Sequence, residues 1–129
     1  QEGATVTTAS PTTSSPPGAP LEAGLLQDTA STFGILSATA RLQIVWLLAD
    51  GERDVSTLAR EIGQSVAAIS QHLAKLKLAG VVRVRRAGRR SICTVDDPHL
   101  VDVVRLVVGH HEALRARLSD RDLSQTREA

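Results

Sequence analysis

The sequence predicts a mainly α-helical domain that carries one β-hairpin. Apolar residues recur every three or four positions from residue 21 to residue 78, which is typical of helices. Over residues 82–85 and 92–95, every second residue can instead face inward, which favours two strands. The Ala87-Gly88-Arg89-Arg90 segment between them indicates a tight turn. Helical spacing returns after Asp97, so the hairpin is enclosed by helices.

The first two predicted helices are the most apolar before the hairpin. The first carries a stripe closed by the cap candidate Ser37 and made of Leu25, Leu26, Ala30, Phe33, Ile35 and Leu36. The second contains Leu42 and the apolar run of residues 44–48, and it ends at Asp50-Gly51. A helix as apolar as the second is expected to lie at the centre of the fold.

Two further helices follow, and their bounds can be predicted from caps and glycines. Asp54 caps the third helix, Val55–Ile62, and Gly63 ends it. The fourth helix, Val66–Leu78, begins after the cap Ser65 and ends before Gly80. Its buried positions are expected at residues 69, 73 and 76. Ala59 is small where the third and fourth helices should cross, which permits their close approach.

The last helix is predicted to need a second subunit. Asp97 caps it and Pro98 takes its first position. Its apolar residues between 100 and 108 lie almost all round the helix, so it must be buried on more than one side. A lone small domain cannot supply that cover, whereas a partner subunit can. We therefore expect a homodimer.

Composition divides the chain into one domain and two tails. Residues 1–20 are rich in Ser, Thr and Pro and have almost nothing to bury, which predicts a flexible tail. Residues 21–118 are expected to form the folded domain. Residues 119–129 are expected to form a flexible C-terminal tail.

Charge is balanced over the whole chain but uneven along it. The net charge is +1, from 15 Lys and Arg against 14 Asp and Glu. Residues 63–95 contain no carboxylate, and their basic residues are Lys75, Lys77, Arg83, Arg85, Arg86, Arg89 and Arg90. A run of charge is usually a solvated face. A basic block without acids inside a folded unit nevertheless favours a surface that faces phosphate.

A winged helix-turn-helix has the element order found here: a short helix, a Gly-containing turn, a second helix with a polar outer face, and a basic hairpin. In that fold one helix fits the major groove of DNA, and the hairpin, or wing, reaches along the backbone. The residues expected to contact DNA are Ser65, Ala67, Ala68, Ser70, Gln71, Lys75, Arg86, Arg89 and Arg90. Gln71 can hold an adenine edge with two hydrogen bonds, whereas Lys75 and the arginines would pair with phosphates. The alternative is a module of the same fold that contacts proteins, with Ser65 serving only as a cap.

Several other classes of protein are disfavoured. No apolar run reaches the length of about 18 residues that a membrane span needs, and no signal peptide is evident, so a cytoplasmic location is expected. The single cysteine excludes an internal disulfide and a thiolate zinc cage. The chain has neither a Gly-rich phosphate loop nor a nucleophile elbow, so we do not expect an enzyme.

Three stretches in combination resemble the ArsR/SmtB family of repressors. They read Leu36-Ser-Ala-Thr-Ala-Arg-Leu-Gln-Ile, Ser70-Gln-His-Leu-Ala-Lys-Leu and Gly80-Val-Val-Arg-Val-Arg-Arg-Ala-Gly-Arg, within a resemblance that covers about residues 25–118. The resemblance implies a homodimer built from the first and last helices. It also implies binding to operator DNA, which many members release when a metal or another inducer binds. The family usually has an aromatic residue at Cys93, so we expect Cys93 to be a buried packing residue and not a sensor.

Asp97, His99, His110, His111 and Glu112 form the one cluster with metal-ligand chemistry. The eleven-residue step from His99 to His110 amounts to 1100°, within about 20° of three full turns, so both imidazoles share a helix face. They lie about 16 Å apart along the axis, too far for one ion. One metal can use both only if a second copy of the helix runs antiparallel alongside. Asp97 and His99 of one subunit would then meet His110 of the other, in two symmetric sites.

The same order of residues matches the first three ligands of the family's metal site on its last helix. The chain most resembles the NmtR-type nickel/cobalt sensors, and zinc sensors of the SmtB type share the scaffold. Imidazole and carboxylate ligands without thiolate favour nickel, cobalt or zinc as the inducer. The family's fourth ligand falls on Ala113, and the possible substitutes, His111 and Glu112, point about 100° and 200° round from His110. The alternative is an ArsR-type repressor that has lost metal sensing and responds to another signal.

Overall fold

The computed structural model describes residues 14–128, so residues 1–13 of the predicted N-terminal tail lie outside the described residues, as does Ala129. The elements follow in the order α1 (Ala23–Leu36), α2 (Thr39–Asp50), β1 (Arg53–Asp54), α3 (Val55–Ile62), α4 (Val66–Leu78), β2 (Val82–Ala87), β3 (Arg90–Val95) and α5 (Pro98–Glu128). This architecture confirms the predicted fold class, a mainly α domain with a hairpin. The division into domain and tails stays a prediction.

The core is built around α2. Ile44 and Val45 of α2 have no exposed surface, and neither do Leu58 of α3 and Ile69 and Leu76 of α4. α2 contacts α3, α4, α5 and β3, which accommodates a helix that is apolar on several sides. The central position predicted for this helix is confirmed.

The helix caps agree closely with those predicted from the sequence. Asp54 Oδ1 accepts a hydrogen bond from the Thr57 amide at 2.7 Å, and Ser65 Oγ accepts one from the Ala68 amide at 3.1 Å. Asp97 Oδ1 accepts from the amides of His99 and Leu100 at 3.0 and 3.3 Å. Each of these side chains satisfies amides that a first helical turn leaves without partners.

The sheet has one strand more than the sequence predicts. The two-residue β1 pairs with β3, Arg53 opposite Cys93 and Asp54 opposite Ile92, so the strand order is β1-β3-β2. A segment of two residues shows no alternation that could reveal a strand. The consequence is that the wing is joined by backbone hydrogen bonds to the residues just before α3.

α5 is longer than predicted. It has 31 residues and continues through Glu128, so residues 119–128 are helical where a flexible tail was expected. The segment contains neither glycine nor proline, so nothing in its sequence ends the helix. Arg105, in the first part of α5, ties the helix to α2 by a hydrogen bond of 3.2 Å from Nη2 to the Ala49 carbonyl.

α1 and α5 leave large apolar side chains uncovered. Phe33 of α1 is 58% exposed, and Leu106 and Val107 of α5 are 76% and 48% exposed. Within residues 14–128, no single helix is long and apolar enough to cross a membrane, and the one pair that meets the length together, α1 with α2, is bent by 89°. α1 and α5 are the two helices from which the family resemblance implies that a homodimer is built.

Two leucines of α4 provide a matched test of the core. Leu76 has no exposed surface, whereas Leu78, two residues further along, is 91% exposed. We expect Leu76→Ala to lower the free energy of unfolding by about 2–5 kcal/mol, because it removes buried methyl groups and leaves a cavity. Leu78→Ala should change it by less than about 0.5 kcal/mol. Urea unfolding followed by circular dichroism measures both, and equal losses would contradict this description of α4.

Candidate DNA-binding surface and metal-ligand residues

α3 and α4 form the helix-turn-helix that the sequence predicts. Gly63 ends α3 in the left-handed conformation, with φ of 79°, and its amide donates to the Ala59 carbonyl at 2.9 Å. Ala59 itself is buried, 6% exposed, as expected for a small residue at a helix crossing. The turn therefore brings the start of α4 to the surface immediately after α3 ends.

The outer face of α4 presents most of the side chains expected to contact DNA. Ala67, Ser70, Gln71 and Lys75 are exposed, whereas Ala68 is half-buried. Ser65 is also exposed, but its hydroxyl oxygen is engaged by the Ala68 amide as the cap of α4. The buried positions predicted for this helix, Ile69, Leu73 and Leu76, point away from that face and are confirmed.

The arginines of the wing have different surroundings. Arg90 Nε donates to Asp54 Oδ2 at 2.8 Å, and Arg86 Nη1 donates to the Ser91 hydroxyl at 3.2 Å. Arg89, next to the turn residue Gly88, forms no hydrogen bond or ion pair with any residue between 14 and 128. Of the three wing arginines expected to bind phosphate, only Arg90 has a carboxylate partner among residues 14–128.

Carboxylates from outside the acid-free segment fold back onto the wing. Besides the Arg90–Asp54 pair, Arg83 Nη2 lies 2.7 Å from Asp96 Oδ2, and Arg85 Nη2 lies 3.1 Å from Glu52 Oε1. The sequence does not reveal these ion pairs, because their members can be far apart along the chain: Glu52 and Arg85 are 33 positions apart. The wing surface is therefore less positively charged than the acid-free segment of the sequence suggests.

Sequence reasoning missed two residues at this surface. A groove of about 200 Å³ separates α4 from the wing and is lined by residues that include Ser70, Lys77 and Ser91. Lys77 and Ser91 were not among the expected contacts, because the approach of β3 to α4 is a tertiary contact. Lys77 could have been suggested by its spacing from Ser70, since seven residues are close to two helical turns.

Asp54 has the most perturbed carboxyl group near this surface. Hydrogen bonds from Thr57, first through its side chain and then through its amide, and a further bond from Arg90 lower the pKa of Asp54 from 3.8 to about 2.

Burial, with a contribution from the charge of Asp54, raises the pKa of the Cys93 thiol to about 11. Cys93 has no exposed surface, which confirms it as a packing residue.

The expected metal ligands are spread along α5. Asp97 and His99 lie at its start, and His110 and His111 lie about three turns later, with all three histidines exposed. The His110 and His111 rings are 5.0 Å apart between centroids and meet edge to face. Among the described residues, no group of three or more His, Cys, Asp or Glu side chains is close enough to hold a metal ion.

The donor set fits a divalent transition metal, but one subunit does not complete a site. Both cap hydrogen bonds of Asp97 end on Oδ1, which leaves Oδ2 as the oxygen for a metal. Imidazole nitrogens and a carboxylate oxygen are ligands that nickel, cobalt and zinc accept. Ala113 contributes no ligand. On a single α5, His99 and His110 are about 16 Å apart along the helix axis, which is too far for one ion.

Known proteins share both the fold and much of the sequence. A model described as "Bacterial regulatory protein, arsR family" matches residues 39–84, which span α2, β1, α3, α4 and part of β2. The regulator NmtR of Mycobacterium tuberculosis is 35% identical over 105 residues, which are 81% of this chain and 88% of NmtR. The chain belongs to the ArsR family. The relatives in this family are named as transcriptional regulators. This chain is likewise a DNA-binding transcriptional regulator and not an enzyme.

Two further ArsR comparisons extend the family match. KmtR of Mycobacterium tuberculosis is 39% identical over 72 residues, which are 56% of this chain and 55% of KmtR. The chain thus matches little more than half of KmtR. The homodimeric winged helix-turn-helix DNA-binding domain Mb0332 from Mycobacterium bovis is 35% identical, with a TM-score of 0.65 over 73% of this chain and 88% of that domain. The winged helix-turn-helix expected from the element order is confirmed.

The lowered pKa of Asp54 predicts a specific loss of stability in acid. Its ionised carboxylate contributes stability fully above pH 4, and this contribution is lost as the pH falls through about 2. We expect Asp54→Asn to be less stable than the unsubstituted chain above pH 4, with a difference that shrinks between pH 4 and pH 2. Urea unfolding at a series of pH values measures the difference.

Ser65→Ala is the matched control for this test. It removes the cap of the next helix, but Ser65 carries no ionisable group, so its destabilisation should be the same at every pH. A difference between Asp54→Asn and the unsubstituted chain that stays constant from pH 4 to pH 2 would contradict the role given to the Asp54 charge.

Proposed function

We propose that this ArsR-family regulator is a homodimeric repressor that binds operator DNA and releases it when nickel, cobalt or zinc binds between its paired last helices. The observation that carries the proposal is that one chain presents two different surfaces. The exposed face of α4 lies beside a basic wing, and Asp97, His99 and His110 lie along α5. The first surface suits DNA and the second suits a metal shared between subunits.

Recognition of DNA is assigned to α4 and the wing. Gln71, exposed on α4, can donate to and accept from the edge of an adenine, and Ala67 can contact a thymine methyl group. Lys75, Arg86 and Arg89 are exposed and would pair with phosphates, which supplies affinity but no choice of sequence. Ser70 can form a hydrogen bond with any base edge, so it adds little choice of sequence.

Dimerisation is supported by the apolar residues that one chain leaves uncovered. α1 contributes Leu25, Leu26 and Phe33, each at least 44% exposed, and α5 contributes Leu106 and Val107. A groove of about 180 Å³ between α1, α2 and α5 is lined almost wholly by apolar side chains such as Leu42 and Val104. A second copy packed on α1 and α5 would remove this surface from water.

The metal-responsive part of the proposal rests on residues of two subunits. Asp97 and His99 of one subunit, with His110 of the other, would hold the ion, and His111 is the nearest further donor. When bound, the ion would supply a link between the two α5 helices. The capping bonds of Asp97 hold its carboxylate beside His99 at the start of the helix. The dimer then has two arrangements, of which DNA favours one and the linked helices favour the other.

One observation favours a second candidate function. Ala113 provides no ligand at the position where the family has its fourth, so the chain lacks one donor of a four-ligand set. The missing donor is what we expect in an ArsR-type repressor that does not respond to metals and responds to another signal. Such a repressor shares the DNA-binding surface with the first candidate and differs only in α5.

Fluorescence anisotropy separates the two candidates. A labelled duplex from the region upstream of the protein's own gene is titrated in chelator, and then with nickel, cobalt or zinc. We expect tight binding in chelator that one of these ions weakens at least about tenfold, a coupling of about 1.4 kcal/mol. Binding that no ion changes favours the metal-independent candidate, and absence of binding contradicts both.

Mixing two variants tests whether the metal site is shared between subunits. His99→Ala and His110→Ala should each leave DNA binding intact and abolish the metal response. When the two variants are mixed and allowed to exchange subunits, one site of each mixed dimer retains both histidines. We expect one metal ion per mixed dimer, against two per unsubstituted dimer, measured by isothermal titration after purification of differently tagged pairs.

The same mixing experiment has a clear contrary result. If each site drew His99 and His110 from a single subunit, every subunit of the mixture would lack one ligand and no binding would return. A chain carrying both substitutions, mixed with the unsubstituted chain, is the control, because neither site of that mixed dimer retains both histidines. Metal binding by that control dimer would show that one subunit can supply both histidines, and it would contradict a site shared between subunits.

A further inference from the structure

The two faces of the wing differ in how their arginines are compensated. Opposed residues of β2 and β3 share a face, and successive residues alternate. Arg83 is opposite Thr94 and Arg85 is opposite Ile92, whereas Arg86 is opposite Ser91. Arg85 and Arg86 are therefore neighbours in sequence that lie on opposite faces of the same strand.

On the first face, each arginine has a carboxylate partner. The three pairs are Arg83–Asp96, Arg85–Glu52 and Arg90–Asp54, at 2.7, 3.1 and 2.8 Å. Arg85 Nη2 reaches both oxygens of Glu52, at 3.1 and 3.2 Å. The Asp54 side chain is only 14% exposed and also caps α3, so Arg90 is held by a carboxylate that is itself fixed.

On the second face, the positive charge is uncompensated. Arg86 bonds to the neutral hydroxyl of Ser91, which orients the guanidinium and leaves its charge available. Ser91 lines the groove between the wing and α4, and Lys77 lines the same groove from the α4 side. Arg89 follows at the tip of the hairpin without a partner among residues 14–128. Neither Lys77 nor Arg86 has an ion-pair partner within that part of the chain.

We propose that DNA phosphates are bound by Arg86, Arg89 and Lys77, on the α4 side and tip of the wing, and that Arg83, Arg85 and Arg90 contribute nothing to phosphate binding. This inference rests on the proposed function, since it specifies which residues of the same surface meet the DNA backbone. Counterions condensed on DNA are released when a protein cation neutralises a phosphate. A cation that is already paired with a carboxylate adds no net positive charge for this, and the carboxylate beside it repels the phosphate. The inference changes the expected set of phosphate-binding residues by removing Arg90 and adding Lys77.

The dependence of DNA affinity on salt measures directly how many phosphates the protein neutralises. The slope of the logarithm of the association constant against the logarithm of salt concentration changes by about 0.9 for each phosphate that a variant no longer neutralises. We expect Arg86→Gln and Arg89→Gln each to make the slope shallower by about 0.9. The charge-neutral double variant Glu52→Gln with Arg85→Gln should leave the slope unchanged. Both measurements use anisotropy with the labelled upstream duplex and with a duplex of scrambled sequence.

Arg85 and Arg86 form a matched pair, because the substituted residues are adjacent and only their faces differ. A shallower slope for the Glu52–Arg85 double variant would overturn the inference, as would an unchanged slope for Arg86→Gln. Arg83→Gln with Asp96→Asn is the second charge-neutral pair, used if the first variant fails to show cooperative unfolding in urea. Failure of the proposed function is distinct, since the unsubstituted chain would then bind neither duplex.

Discussion

The carboxylate of Asp54 is the point on which the arrangement of the DNA-binding surface depends. One oxygen caps α3 through the Thr57 amide, and the other pairs with Arg90 at the start of β3. The backbone of the same residue pairs with Ile92 in the sheet. A single side chain thereby fixes the helix-turn-helix relative to the wing, and the bonds that do so also keep its pKa near 2. The spacing between α4 and the hairpin, which DNA must match, follows from this junction.

The two candidate surfaces are joined by a short stretch of chain. β3 ends at Val95, and Asp97 is both the cap of α5 and the first expected metal ligand. Between them, Asp96 donates its amide to the Val81 carbonyl at 3.1 Å and pairs with Arg83. The start of α5 is thus attached to the base of the wing by a backbone bond and an ion pair. In the proposed dimer, a change in how the two α5 helices pack would reach the hairpin through this short connection.

Local signals predicted most of the fold, whereas contacts between distant parts of the chain were not accessible from sequence. Caps such as Asp54, Ser65 and Asp97, with Gly63, set the helix bounds because a first turn leaves amides to satisfy and a helix end needs a left-handed residue. β1 was missed because two residues carry no period. The Glu52–Arg85 pair was missed because only the folded sheet brings them together. His99 and His110 could be placed on one face of α5 by arithmetic, but the proposed site that joins them requires a second subunit.

α5 also determines the shape of the molecule. At 1.5 Å per residue its 31 residues measure about 46 Å. A compact chain of this length has a radius of gyration of about 14 Å, so the helix is longer than the diameter of the domain that carries it. Residues 109–127 are exposed throughout, and this section projects as an arm. Solvent friction acts on this arm far from the centre of the molecule, so a single chain rotates more slowly about axes perpendicular to α5 than about the helix axis.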